Sequence, residues 1–406
     1  MIYDVIVIGA GASGCFSSIF AGMNGKKVLL LERNEKIGKK LFITGKGRCN
    51  VTNNSDSVNH LNNIINGKKF MNSASRVFTA NDTIEFFEEI GLNLKVERGN
   101  RVFPISDKSS DVIKVLEKEI NNLGVEVKLN TKVKSVTKNG NTFNLKCENN
   151  DTYTSNSVII ATGGKSYSAT GSDGFGYALA KKFGHTIIEP RPSLVPIILK
   201  ETIKDIEGLS LKNVSASVEI AGKIVASEFG EMLFTDNGVS GPIVLTLSAK
   251  INRLDLTNAK FLIDFKPALD IEFLDKKLVG EFNENPMKML STYLKTLLPT
   301  SFISKFMLKI GFEDKKLAQI NKEERKIIVT LLKRFDFSIK MLDNIDNAII
   351  TSGGVCLNEI NPKTMESKLV SGLYFVGELL DVDALTGGYN LQVAFSTGFV
   401  AGNNIK

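Results

Sequence analysis

The segment Gly9-Ala10-Gly11-Ala12-Ser13-Gly14 constrains this chain more than any other. Residues 3–8, Tyr-Asp-Val-Ile-Val-Ile, form a short apolar run ending at glycine, the pattern of a strand buried in a parallel sheet. A small-residue helix is expected to about Asn24, with Gly25 as its stop. Val28-Leu29-Leu30-Leu31 reads as a second strand, closed by Glu32. Strand, GxGxxG, helix and strand within about thirty residues make a β-α-β unit with the dinucleotide fingerprint. Gly9 permits the tight turn, Gly11 lets backbone approach a pyrophosphate, and Gly14 allows close helix–strand packing. The helix N-terminus adds the positive end of its dipole. Glu32, 18 residues past Gly14, is placed to accept hydrogen bonds from ribose hydroxyls, favouring adenosine diphosphate without a 2′-phosphate. An ordinary Gly-rich turn explains the glycines but not this placing of Glu32.

Composition narrows the rest. The 406 residues suffice for two to three domains. A net charge of +7 is too mild to define a nucleic-acid partner by itself. There are only two histidines, His60 and His185, so a Ser-His-Asp hydrolase or a multi-His metal centre would have to be built on one of them. No metal is expected. Cys15, Cys49, Cys147 and Cys356 form no CxxC pair and read as reduced thiols. The start Met1-Ile2-Tyr3-Asp4 has an acid where a signal peptide is basic, and no stretch approaches the ~18 apolar residues of a membrane span. The expectation is a cytoplasmic protein without membrane association, and a monomer agrees with it.

A polar loop rich in Gly and Lys covers 33–57, long enough to suggest function. Helical periodicity marks 81–91, 109–123 and 174–183. Short strands are expected at 125–129, 131–137, 142–147 and 152–154, with an Asn139-Gly140 turn. A buried strand, 158–162, runs into Gly163-Gly164. Pro190, Pro192 and Pro196 mark a boundary, after which 191–269 alternates strands and turns like a small antiparallel β-domain. From 270 to 344 the reading is helical, broken at Pro286, Pro299 and Gly311. Between Lys276 and Asp343 this piece holds 14 Lys/Arg against 8 Asp/Glu. Such charges track phosphates or simply solvate helix faces. Beyond 345 strand character returns, with a buried run from Gly372 to Gly377 and a final helix starting near Gly388.

That far end carries a second set of glycines, Gly377-Glu378-Leu379-Leu380-Asp381 and Gly387-Gly388-Tyr389-Asn390-Leu391-Gln392. A glycine-led helix start suits a flavin pyrimidine carbonyl, where negative charge develops on reduction. A packed strand–helix unit explains the same residues. The stretches Gly45-Lys46-Gly47-Arg48-Cys49-Asn50-Val51-Thr52-Asn53, Arg101-Val102-Phe103-Pro104 and Ala161-Thr162-Gly163-Gly164-Lys165-Ser166-Tyr167 are more specific. With Leu233-Phe234-Thr235, Gly241-Pro242, 351–355, 362–367 and 377–398, they make the chain resemble the YhiN/BaiN-like group of FAD-dependent oxidoreductases, of glutathione-reductase-type fold. In that family a His commonly follows Leu-Phe-Thr; here Asp236 stands there and receives no role.

The resemblance spans nearly the whole chain. It implies an α/β protein: a discontinuous Rossmann-like FAD-binding domain, 1–190 and 345–406, with a β-barrel-like insert, 191–269, and a helical insert, 270–344. It implies that FAD rests on Gly9, Gly11, Ala12, Ser13, Gly14, Glu32 and Arg33, followed by Lys40, Thr44, Gly45, Gly47, Arg48, Cys49 and Asn50. Val133, Ala161, Thr162, Gly163 and Gly164 would follow, then Gly377, Glu378, Asp381, Gly388, Tyr389, Asn390, Leu391 and Gln392. Two activities come with it: reduction of a large-subunit ribosomal RNA uridine to dihydrouridine, and reduction of an unsaturated small molecule such as a steroid-like enone. A protein that binds RNA and keeps FAD structurally is a third alternative.

In the first two, hydride passes from NAD(P)H through FAD to a C=C bond, although no second GxGxxG shows where NAD(P)H docks. Cys49 is the thiol in a basic loop, where a lowered pKa and proton donation are expected, or else packing beneath the flavin. Arg48 and Lys46 would stabilise reduced flavin or hold a phosphate. Tyr389, like Tyr167, would stack on flavin or bond substrate. Arg101 contacts substrate or pairs on the surface.

Overall fold

The computed structural model describes residues 1–406 as two units, Met1–Ser193 with Ile345–Lys406, and Leu194–Asn344. In the first, strand β1 (Ile2–Ile8) lies parallel between β2 (Val28–Leu31) and strand Thr152–Ile160. Val5, Ile6 and Val7 are wholly out of solvent, as the continuous apolar run of a central parallel strand requires. Glu126–Lys128 extends the seven-stranded sheet beyond β2.

The runs at 152–154 and 158–162 prove to be one strand, Thr152–Ile160. Its first half pairs antiparallel with Thr142–Cys147, and its second half parallel with Leu373–Phe375. The change of partner follows the composition, from alternating Thr-Tyr-Thr to continuous Val-Ile-Ile. The long loop is also structured. It holds α2 (Lys39–Ile43), a 3₁₀ turn at Thr44–Gly47 and a strand at Thr52–Asn53. That strand pairs with Arg101–Pro104, which pairs with Leu94–Glu97.

Helix α1 (Ala12–Met23) packs on the final helix, Tyr389–Asn403. A Cβ on Gly398 would stand 2.5 Å from the Ser13 carbonyl oxygen, and one on Gly402 2.7 Å from that of Ser17. Only glycine permits so close an approach. Around it Phe16 stacks on Phe395 at 4.2 Å and Phe78 on Phe399 at 4.4 Å. Truncating a fully buried Phe such as Phe16 to Ala costs about 3–5 kcal/mol.

The second unit is a closed six-stranded barrel in the order Ile197–Leu199, Gly238–Ser240, Lys223–Phe234, Ser210–Ile220, Lys260–Asp264, Phe335–Leu342. The last strand corrects the helical reading of 270–344. Helices run from Ile271 to Lys333, but Phe335, Phe337 and Ile339 alternate inward at period two and close the barrel. The helical segment is thus inserted between two barrel strands, within one unit. No helix is long and apolar enough to cross a membrane.

Candidate active site

Four chain reversals gather at the carboxyl ends of the parallel strands, where open α/β sheets bind ligands. They follow β1 at Gly9, β2 at Glu32, Ile160 at Ala161–Gly164, and Phe375 at Gly377–Glu378. Gly9 has φ +102°, and a Cβ there would lie 2.6 Å from the Ala161 carbonyl oxygen. A Cβ on Gly11 would meet no atom of the chain within 4 Å. Gly9 and Gly14 therefore serve packing, while the position beside Gly11 is open. Ala12 and Ser13 open α1, and Ser13 is buried against Gly377.

Glu32 is buried and already engaged. It accepts from the Ala10 N–H at 2.8 Å, the Asn34 N–H at 2.8 Å and Asn34 Nδ2 at 2.7 Å. The carboxylate pins the glycine turn and keeps acceptor capacity for a ribose. Arg33 pairs with Asp173, which fixes it to the 171–173 turn.

Lys40 meets Glu378 at 2.6 Å and donates to Ser166 Oγ at 2.7 Å. Ser166 Oγ donates to Glu378 Oε1 at 2.8 Å, which also accepts from the Thr351 N–H at 2.9 Å. A Cβ on Gly164 would strike Thr351 Oγ1 at 2.5 Å and Glu378 Oε1 at 2.8 Å, so this network abuts the Gly163–Gly164 turn. Gly377 donates its N–H to Thr397 Oγ1 at 2.9 Å. Asp381 and Glu378 both lie near Tyr177, whose phenol burial pushes up strongly. Val133 is buried in the sheet opposite Cys147.

The 45–50 loop is held in left-handed backbone. Gly45, Lys46, Gly47 and Cys49 have φ of 57°, 58°, 83° and 58°. For Lys46 and Cys49 that conformation stores strain, which surrounding contacts must hold. Thr44 Oγ1 donates to the Leu41 carbonyl at 2.7 Å, and the Cys49 N–H to the Thr44 carbonyl at 3.1 Å. Two expectations are corrected here. Cys49 is fully buried, and burial pushes its thiol up to about 12, so it carries a proton and not a charge. Arg48 is not a free cation: its Nε donates to Asp107 at 2.9 Å, its Nη2 pairs with Glu97, and the guanidinium lies 4.1 Å from the Phe103 ring centroid.

The C-terminal turn divides likewise. Gly388 (φ +102°) caps the final helix so tightly that a Cβ would stand 2.3 Å from the Thr52 carbonyl carbon. Tyr389 donates to Asn59 Oδ1 at 3.1 Å and packs edge-on to His60. Asn390 is spent on Ala384, accepting its N–H at 2.9 Å and donating to its carbonyl at 2.8 Å. Gln392 is spent as well. Its Oε1 accepts from Thr52 at 2.6 Å and Thr83 at 2.8 Å, and its Nε2 donates to Phe78, Thr79 and Ser396. Both are ties of the scaffold. Leu391 is half-buried beside them. His185 lies between Glu359 and Ser367, and burial lowers its pKa. No group of three His, Cys, Asp or Glu side chains is placed to hold a metal.

Three buried polar atoms have no hydrogen-bond partner in the chain: Asn50 Oδ1, Thr162 Oγ1 and Tyr177 OH. Orphans of this kind are rare in folded proteins. With the open space at Gly11, they fit a ligand rich in hydrogen-bonding groups, as FAD is. Tyr177 carried no sequence signal, since it sits in an ordinary helix, Phe175–Lys182. Ser166 and Thr351 lay within legible motifs, but their bonds to Glu378 and the 165–166 backbone join segments far apart in sequence.

A Rossmann-type sheet with these glycine turns, in a chain with the family match and relatives that follow, is that of an FAD-dependent oxidoreductase. The chain belongs to the family described as HI0933-like protein Rossmann domain, whose model matches residues 3–404. It is 31% identical over 405 residues to a 3-dehydro-bile acid delta(4,6)-reductase of Clostridium scindens, covering 98% of this chain and 97% of that one. It is 32% identical over 404 residues to a ribosomal RNA dihydrouridine synthase of Haemophilus influenzae, covering 99% and 98%. The Escherichia coli enzyme of that name is 31% identical over 405 residues, again covering 99% and 98%. Its fold is also that of a 3-ketosteroid-delta4-(5alpha)-dehydrogenase from Rhodococcus jostii, with TM-score 0.53, 14% identity, and coverage of 99% of this chain and 96% of that one.

Proposed function

We propose that this protein reduces the C5=C6 bond of a uridine in large-subunit ribosomal RNA, taking electrons from NAD(P)H. FAD, when bound, would supply hydride-transfer chemistry for the double bond. The chain holds the reacting groups and manages charge and protons. Gly45 and Gly47 would let backbone lie close to the ring, while the wholly buried, protonated Cys49 supports the loop from inside and does not reach the substrate. Asn50, whose Oδ1 has no partner in the chain, would help hold the cofactor as an acceptor.

The choice of RNA over a neutral enone rests on one observation. Lys46 and Lys165, at the two glycine turns that frame the site, are exposed and have no carboxylate partner. Unneutralised cations at a site mouth favour a polyanion. The helical segment is a weaker argument than its composition implied, because many of its cations are paired, among them Lys309, Lys315, Arg325, Lys333 and Arg334.

The test uses purified holoprotein, reduced anaerobically and mixed with unmodified large-subunit ribosomal RNA. RNA-dependent flavin reoxidation matched by dihydrouridine in mass spectrometry is expected. Reoxidation only by steroid-like enones or oxygen would replace this reading with a small-molecule reductase. Flavin that neither NADH nor NADPH reduces would leave FAD a structural part of an RNA-binding protein.

A further inference from the structure

The hairpin Leu94–Glu97 and Arg101–Pro104 sorts its cations by position. In the stem, Lys95 and the incoming Arg48 are neutralised by Glu97 and Asp107. At the tip, Arg98 and Arg101 are exposed, and neither has a carboxylate partner. The tip is nonetheless tied down by hydrogen bonds. Gly99 (φ +76°) and Asn100 (φ +58°) make the reversal, and the Asn54 N–H donates to the Asn100 carbonyl at 2.7 Å. Asn53 Nδ2 bridges the Gly99 carbonyl at 3.0 Å and the Gly387 carbonyl at 3.1 Å. That bridge fastens the tip to the turn that opens the final helix.

Arg101 is pre-positioned as well. Its Nε donates to the Arg98 carbonyl at 3.1 Å, and its guanidinium lies 5.7 Å from the Phe103 ring centroid. The same ring carries Arg48 at 4.1 Å and would meet a Cβ on Gly45 at 3.5 Å. Arg101 thus stands beside the flavin loop with both terminal nitrogens unspent. A guanidinium in that state presents a two-pronged donor that matches a phosphate.

We infer that the Arg98–Arg101 tip is a docking element for nucleic-acid backbone, gripping phosphates that flank the nucleotide presented to the flavin. The inference rests on the RNA reading above and gives it a place on the molecule. Phe103 and Asn53 hold the arginines in register with the site, so phosphate contacts set which nucleotide reaches it. Phosphate contacts of this kind carry register and affinity, not base identity.

The test compares holoprotein with its Arg98→Ala/Arg101→Ala variant in binding a labelled fragment of large-subunit ribosomal RNA across a salt series. The expected result is a salt slope shallower by about 1.5 to 2. Affinity at low salt should fall roughly tenfold or more, with FAD content and oxygen-driven flavin reoxidation unchanged. Arg98→Glu/Arg101→Glu should weaken binding further. Unchanged slope and affinity in the alanine variant, with wild type still making dihydrouridine, would overturn the docking element and leave the function standing. A changed slope without dihydrouridine from wild type would do the reverse. Wild-type protein that does not bind the fragment would overturn both.

Discussion

The carbonyl oxygen of Gly9 lies 1.9 Å from the point where a Cβ on Gly14 would sit, whereas a Cβ on Gly11 would have no neighbour within 4 Å. The two glycines of one motif therefore answer to different partners. Gly14→Ala should lower the melting temperature of the protein even without FAD, since the helix must shift away from the sheet. The cost of such overpacking is about 1–3 kcal/mol. Gly11→Ala should leave FAD-free stability nearly unchanged and weaken FAD binding. Calorimetry of the stripped proteins, with flavin titrations, separates the two; equal melting losses would refute the distinction.

Tyr177 offers the opposite trade. Its hydroxyl is buried and unpartnered in the chain. Removing it relieves an unsatisfied polar group, worth about 1–3 kcal/mol. Tyr177→Phe should make the FAD-free protein at least as stable as wild type while FAD dissociates more readily. A variant that lost stability and kept its FAD affinity would show that the hydroxyl has some other partner.

Arg48 ties the 45–50 loop to Glu97, Asp107 and Phe103. Arg48→Met removes the anchor that keeps Lys46 and Cys49 in left-handed backbone. Turnover should fall roughly 10- to 100-fold, because small misplacements of reacting groups cost that much. The flavin absorption spectrum should shift with it. Arg48→Lys, which preserves charge but not the stacked fork, should recover only part. Full activity in Arg48→Met would mean the loop needs no such anchor.

The buried thiols make stability fall on the alkaline side. Burial pushes Cys15 and Cys49 up to about 12 and Cys147 to about 11, from an ordinary value of 9.0. Above pH 9 the unfolded chain releases these protons and the folded chain keeps them. Their contribution is therefore complete below pH 9 and is lost as pH rises towards 11–12. For Cys49 the loss is about 1.4 kcal/mol per pH unit. Melting temperatures measured from about pH 8 to about pH 10 should decline, and less steeply for Cys49→Ala. Parallel curves for the two proteins would place the Cys49 thiol in contact with solvent.

The glycine turns at 9–14, 163–164 and 387–388 were legible in the sequence by itself, and with them the FAD-binding half of the fold. At Gly9 and Gly388 a positive φ and a backbone approach closer than a side chain allows leave one residue type, so composition and geometry are the same fact. Strand Phe335–Leu342 also carries its alternation openly, yet what it closes is a barrel whose other strands begin at Ile197. Charge and burial were decided by tertiary structure alone. Cys49 sits in a basic loop by sequence and in a dry interior in space. Arg48 looks free until a hairpin some fifty residues on supplies Glu97, and the turn after it Asp107. Gln392 resembles a ligand of the site until Thr52, Thr83, Phe78 and Thr79 take up its amide. Whether a polar group is spent or spare depends on partners that folding brings from elsewhere in the chain, and local sequence carries no record of them.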